Sequence, residues 1–434
     1  MEKEGEPFTS SNKSNLWFFI DEGTELKSLT ICLNWVFQDQ PNIWITALSW
    51  SIFLLLAIGV PIVSHFALLC SNCDSNHQRP YDAVVQLSLS TFAIVSFFSL
   101  FSWSRKYGVR RFLFLDKLDD QNERIRREYK QRLHRSMKLL CVFVLPCFAA
   151  ESAYRIWWYV TGNTQIPYYG NMYASDAIVC ILQLFSWVYR ISIYILVCIL
   201  YQLICYLQVL SLEEFAQVFQ TGSDVGSILR EHLRIRRNLR IISHRFRRFI
   251  LLSLVLVTAS QLMSLLVTTR SSAQNNIFEA GELALCSINL VTGLFICLRS
   301  ATKITHRAQS VTSLATKWHV CATINSFDDI DGETPLDQTS ACSHQVFPVD
   351  IDWVLDDEDD DGDEDTDNST KMVPIFAHTI SFQRRQALVT YLENNRAGMT
   401  VYGFMMDRTW LHTVFGIELA LLLWLLNKTI VNWT

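Results

Sequence analysis

The chain has 434 residues, half of them hydrophobic and 12% aromatic, with a formal net charge of −5. That length would allow two or three soluble domains. The apolar residues, however, gather in blocks of about 20, the length a helix needs to cross a hydrocarbon core of about 30 Å, which excludes a soluble bundle of buried helices. The charge is just as uneven: residues 350–367 alone carry 12 acidic side chains, and without them the chain is basic, as membrane proteins with cytosolic loops usually are.

In chain order, residues 1–43 open polar and charged with no signal-peptide pattern, so the first apolar segment must act as its own insertion signal. Seven segments are long and apolar enough to span: 44–70, 82–103, 139–160, 177–207, 249–269, 278–298 and 410–426. Pro61 and Pro146 fall inside the first and third, where lipid-embedded helices tolerate a kink. The fourth exceeds the bilayer thickness and is expected to tilt or to run on past it. The expected fold class is an all-α membrane protein of seven transmembrane helices with cytosolic helical extensions. Twelve cysteines give no framework. Most, such as Cys147, Cys198 and Cys286, sit inside apolar segments as small hydrophobes, and Cys70 and Cys73 form a lone Cys-x-x-Cys pair.

Lys and Arg alternate from one connection to the next. Residues 104–136 hold 11 and residues 211–248 hold 8, whereas 71–81 has only Arg79 and both 161–171 and 271–277 have none. The positive-inside rule puts the rich connections in the cytosol. With seven spans, the N-terminus is then cytosolic and the C-terminus extracellular, opposite to G-protein-coupled receptors. The expected organisation is a cytosolic segment 1–43, helices one to six with their helical loops over 44–298, a cytosolic connection 299–408, and the last helix with a short outer tail, 409–434. Within the connection, residues 328–368 read as an acidic disordered insert that lacks the ligand spacing of an EF-hand loop. Ser381 is placed to cap a short helix through Leu392. Residues 118–134 and 225–249 have helical spacing and dense Arg. Anionic lipid headgroups suit them better than nucleic acid, since no aromatic interleaving accompanies the charge.

Ionisable side chains at membrane depth are costly and usually pair, line water or bind something. Glu151 and Arg155, four apart on the third span, can pair on one helix face. The orientation above puts them in the outer half with Asp176, Glu282 and Trp158. These five are candidate ligand-binding residues. The alternative is an interfacial belt of aromatics with snorkelling acids. On the last span Thr413, Gly416, Ala420, Leu423 and Asn427 share one face. Such a small, weakly polar face serves close helix packing or lines a narrow pore. Glu418 lies on another face and needs a partner, and Arg190 is a candidate counter-ion. No nucleophile motif, phosphate loop or paired catalytic carboxylates occur, and of 10 His only His65 and His412 lie within or beside a span. Neither catalytic residues, a metal site nor a cofactor is expected.

The segments Arg79-Pro80-Tyr81-Asp82, Arg105-Lys106-Tyr107-Gly108, Gly281-Glu282-Leu283-Ala284-Leu285-Cys286 and Trp410-Leu411-His412-Thr413-Val414-Phe415 resemble a plant family of gustatory-receptor-like membrane proteins, long catalogued as a domain of unknown function. That family is distantly similar to the insect odorant and gustatory receptors. The resemblance implies a seven-helix, N-inside channel that assembles as a homotetramer, takes a small-molecule ligand in the outer half between the second to sixth spans, and opens a pore formed by the seventh helix. Gly403-Phe404 matches a Gly-Phe element that precedes the last span in insect gustatory receptors. Their Thr-Tyr and Gln-Phe elements have no counterpart in residues 419–427. The function expected is a multipass receptor-channel of the plasma membrane. The alternative is a non-conducting receptor or scaffold that signals through its cytosolic loops.

Overall fold

The computed structural model describes residues 43–67, 81–107, 123–161, 172–218, 225–270, 277–328 and 382–431. Its elements are α1 (Ile43–Phe53), a π turn (Leu54–Gly59), α2 (Val60–Ala67), α3 (Asp82–Tyr107), α4 (Glu123–Thr161), α5 (Met172–Val218), α6 (Val225–Arg270), α7 (Ile277–Asp328), α8 (Phe382–Asn394), β1 (Thr400–Val401), β2 (Phe404–Met405) and α9 (Arg408–Val431). Among the described residues seven helical stretches are long and apolar enough to cross a membrane, from Thr46–Phe66 to Arg408–Asn427. They coincide with the seven expected from the sequence. The chain is an all-α, multipass membrane protein. Cys70, Cys73, the acidic tract and the capping position Ser381 lie outside the described residues. The chain divides into two compact units: residues 1–204, 246–300 and 409–434 form one, and residues 205–245 and 301–408 the other.

The first unit holds the apolar segments. Its opening span is α1, the π turn and α2 in one run. Pro61 lies just past the π turn; its ring crowds the carbonyl four residues back and lacks an N–H, and the wider turn absorbs that mismatch. Trp50, Phe53, Phe97 and Phe101 lock this span to α3: Phe53 stacks on Phe97 at 4.0 Å, and Trp50 meets Phe97 and Phe101 edge-on at 5.2 and 5.4 Å. Each such pair adds roughly 0.5–1.5 kcal/mol beyond its burial. Leu54, Leu55, Ile62, Val63 and Phe66 on the first span, and Leu251, Leu252, Val255, Leu262 and Leu266 on α6, are exposed. Apolar faces of that extent need a non-aqueous neighbour, as expected of membrane-spanning helices.

The middle of this unit is α5. Tyr194 packs edge-on against Phe92 of α3 at 5.0 Å and donates its hydroxyl to the Leu290 carbonyl of α7 at 3.0 Å. A Cβ at Gly293 would overlap the Tyr194 ring, whereas one at Gly281 meets nothing within 4 Å. Replacing Gly293 with Ala is expected to cost about 1–3 kcal/mol by overpacking. A Gly281→Ala change should be neutral or slightly stabilising, because Gly is the poorer helix former. Thermal midpoints of the detergent-purified variants check both, and equal midpoints would contradict this account of the α5–α7 contact.

The second unit is built from parts of α5, α6 and α7 with α8 and the β1–β2 hairpin. The sequence reading ended the sixth span at residue 298; α7 instead continues to Asp328. Ala301, Ile304, Ala308, Val311, Ala315 and Trp318 are buried along it, and their alternating spacing of three and four residues is a packing seam. The short helix read at residues 383–392 is α8, with Arg385, Leu388, Val389 and Leu392 buried. Its end is tied down by Arg236, which donates to Asn395 Oδ1 at 2.8 Å, and by His232, whose ring meets Tyr391 at 5.7 Å. Burial lowers the pKa of the Arg385 guanidinium. The Met399 and Thr400 amides donate to the Thr305 and Ser243 hydroxyls at 3.1 and 3.2 Å. Tyr402 and Gly403 turn the hairpin with φ of 50° and 92°. Two positive φ values in a two-residue loop match the right-handed twist of the paired strands, and Gly403 adopts its value without strain.

Candidate functional site

Arg155 is the hub of the first unit's polar side chains. One percent exposed, it donates Nε to Glu151 Oε1 at 2.6 Å, Nη1 to Gln183 Oε1 at 2.6 Å and Nη2 to Glu282 Oε1 at 2.9 Å. Gln183 in turn donates to Ser64 Oγ. Four spans meet here: the first through Ser64, the third through Glu151 and Arg155, the fourth through Gln183 and the sixth through Glu282. Two carboxylates face one guanidinium, so the connected network carries a formal charge of −1. A planar fork with five N–H donors is what lets one side chain hold three acceptors on three helices.

A second group lies along α3 and α5. Gln86 donates to Asp82 Oδ1 at 3.1 Å, and His65 Nδ1 lies 3.3 Å from Asp82 Oδ2. Arg190 donates Nη1 to the Gln86 carbonyl at 3.4 Å and to Ser90 Oγ at 3.3 Å, and Nε to the Ser186 carbonyl at 3.3 Å. Arg190 therefore sits among neutral acceptors in the described residues. The Ser186 hydroxyl donates to the Leu56 carbonyl at 2.6 Å. Leu56 belongs to the π turn, and a neighbouring serine is a standard way to satisfy backbone groups that a broken helix pattern leaves over in lipid.

Of the five candidate ligand-binding residues, the structure joins Glu151, Arg155 and Glu282 directly. Asp176 is buried on α5 but makes no ion pair among the described residues. Trp158 packs edge-on against Tyr159 at 5.0 Å, in a small cluster with Cys180. Gln183 and Ser64 were missed by the sequence reading. Gln183 was visible as an uncharged polar residue inside an apolar span. Ser64 gave no signal, because serine in a membrane helix is commonplace.

The candidates on α9 form a separate feature. Thr413, Gly416, Ala420, Leu423 and Asn427 are all exposed, with Leu423 at 55%. The opposite face, Leu411, Glu418, Leu422 and Leu425, is buried. There Phe415 packs on Phe295 of α7 at 4.5 Å, and Thr258 of α6 donates to Glu418 Oε1 at 2.5 Å, which supplies the partner Glu418 required. No group of three or more metal-ligating side chains occurs among the described residues.

Two solved structures of the insect olfactory receptor OR5 from Machilis hrabei align with the chain. The complex with eugenol is 13% identical with a TM-score of 0.54, over 93% of this chain and 97% of that one. A second structure of the receptor is 11% identical with a TM-score of 0.51, over 92% and 97%. A search of curated proteins found no match. The likeness defines the class of fold: a seven-helix membrane protein with the architecture of an insect olfactory receptor. The family is fixed separately, by the sequence. Residues 24–417 match the model described as "Protein of unknown function (DUF3537)", and the chain belongs to that family.

Proposed function

We propose that the protein is a ligand-gated receptor-channel of the plasma membrane, working as a homotetramer with α9 of each subunit around a central pore. Thr413, Gly416, Ala420, Leu423 and Asn427 line the pore. Glu151, Arg155, Trp158, Asp176 and Glu282 surround the ligand, a small molecule held in the outer half of the bundle. The observation that carries this reading is the outward stripe of α9. A lone chain turns threonine, glycine, alanine and asparagine outward there, where a lipid-facing helix would carry long apolar side chains; neighbouring copies around an axis cover such a stripe. The olfactory-receptor architecture supports the same reading, and the four segments quoted above support a place among plant gustatory-receptor-like proteins. Electron microscopy of the detergent-purified protein tests it. Four subunits with α9 innermost are expected, and a monomer or a ring with α9 at its rim would overturn the channel.

Residues 1–43 and 299–408 are cytosolic in this reading, membrane lipid meets the arginine-rich start of α6, and the C-terminus is extracellular. A tag at the C-terminus should be accessible on intact cells, and a tag within the acidic tract only after permeabilisation. Both on the same side would reverse the assignment. The non-conducting receptor keeps one specific point in its favour: residues 419–426 are almost wholly apolar and offer an ion no ligands of their own.

A further inference from the structure

We propose that the seam between α4 and α7 binds a small protonated amine. This deepens the ligand-site reading above and rests on it. Cys147, Glu151 and Arg155 follow one face of α4, and Glu282, Cys286 and Asn289 one face of α7; all six are buried. Arg155 meets Glu282 at one end of the seam, and the Asn289 amide faces the Cys147 thiol at the other. The two helices therefore run antiparallel with polar groups along about two turns of contact.

Two features of this seam select a cation that donates hydrogen bonds. The first is charge. Glu151, Glu282 and Asp82 stand against Arg155 and Arg190, three carboxylates to two guanidinium groups, so the seam and the charges acting on it leave one formal negative charge over. The second is the surplus of acceptors. Glu151 Oε2 and Asn289 Oδ1 are buried with no hydrogen-bond partner. Buried polar atoms without partners mark places where water or a ligand completes the set. An ammonium group offers three donors, no acceptor and one positive charge. A carboxylate ligand is disfavoured: each of the three guanidinium nitrogens of Arg155 already donates to a protein acceptor, and Glu151 would face the anion. A neutral alcohol satisfies one acceptor and leaves the charge.

The test uses the full-length protein in detergent at pH 7, with isothermal titration of 2-phenylethylamine, 2-phenylethanol and phenylacetate. The amine is expected to bind at least tenfold more tightly than the alcohol, and the acid not at all. Glu151→Gln keeps an oxygen for Arg155 and removes the surplus charge, so it should abolish the amine's advantage over the alcohol. Asn289→Ala lies away from the ion pair and should weaken amine binding several-fold. Equal binding of amine and alcohol, preference for the acid, or an unchanged amine advantage in Glu151→Gln would each overturn the proposal. Voltage-clamp separates it from the broader reading. Amine binding with no current at any amine concentration sinks the channel and keeps the site, whereas currents evoked by alcohol or acid but not by amine sink the site and keep the channel.

Discussion

Replacing Arg155 with methionine is expected to destabilise the protein by about 3–5 kcal/mol, the range for breaking a buried ion pair from one side. The reason is what remains. Glu151 and Glu282, at 0% and 5% exposure, would be two like charges within reach of a single lost cation, and the Gln183 oxygen would lose its donor. Fluorescence-detected size-exclusion chromatography after heating reads the loss directly. Arg155→Lys should recover only part of it, since an ammonium on a flexible stem cannot span three acceptors in one plane. The triple variant Arg155→Met, Glu151→Gln, Glu282→Gln should recover most of it, because removing all the charges removes the desolvation cost with them. If Arg155→Met melts like the parent, the network contributes nothing to the fold and its role is confined to binding.

That network was half legible in the sequence. Alternating spans begin and end at the same side of a bundle, so Glu151 and Arg155, late in the third span, and Glu282, early in the sixth, had to lie at one level. The helical period put Glu151 beside Arg155. The same period puts Asp176 on the face of α5 that carries Gln183, seven residues on; the two turns between them, about 10 Å along the axis, let Arg155 meet Gln183 and leave Asp176 outside. The seven spans were readable because twenty apolar residues in lipid have few alternatives. The continuation of α7 to Asp328 was not read, although residues 301, 304, 308, 311, 315 and 318 are all apolar. Their periodicity was there, but charged residues between them lower the mean hydropathy, and a search for spans passes over a soluble seam. On α9 the spacing gave the stripe and could not give its direction: an apolar helix shows the same pattern whether its small residues point inward or out.

The direction of that stripe sets the test with the largest expected effect on activity. In the tetramer proposed above, a ring of Leu423 side chains narrows the pore and holds it shut by excluding water, with no charge involved. Leu423→Ser should let the constriction hydrate and raise the basal current without ligand several-fold or more. Leu422 is the control, about 100° away around the helix and buried at 8% exposure against 55% for Leu423. Leu422→Ser puts a hydroxyl into packed side chains and opens a cavity, which costs about 2–5 kcal/mol. It should therefore reduce the amount of folded protein at the surface and leave the current per channel unchanged. Voltage-clamp of both variants, normalised to surface protein, separates the two effects. A Leu423→Ser variant that reaches the surface in full and stays as silent as Leu422→Ser would mean that the stripe packs against something dry, and the receptor that does not conduct would then be the better reading.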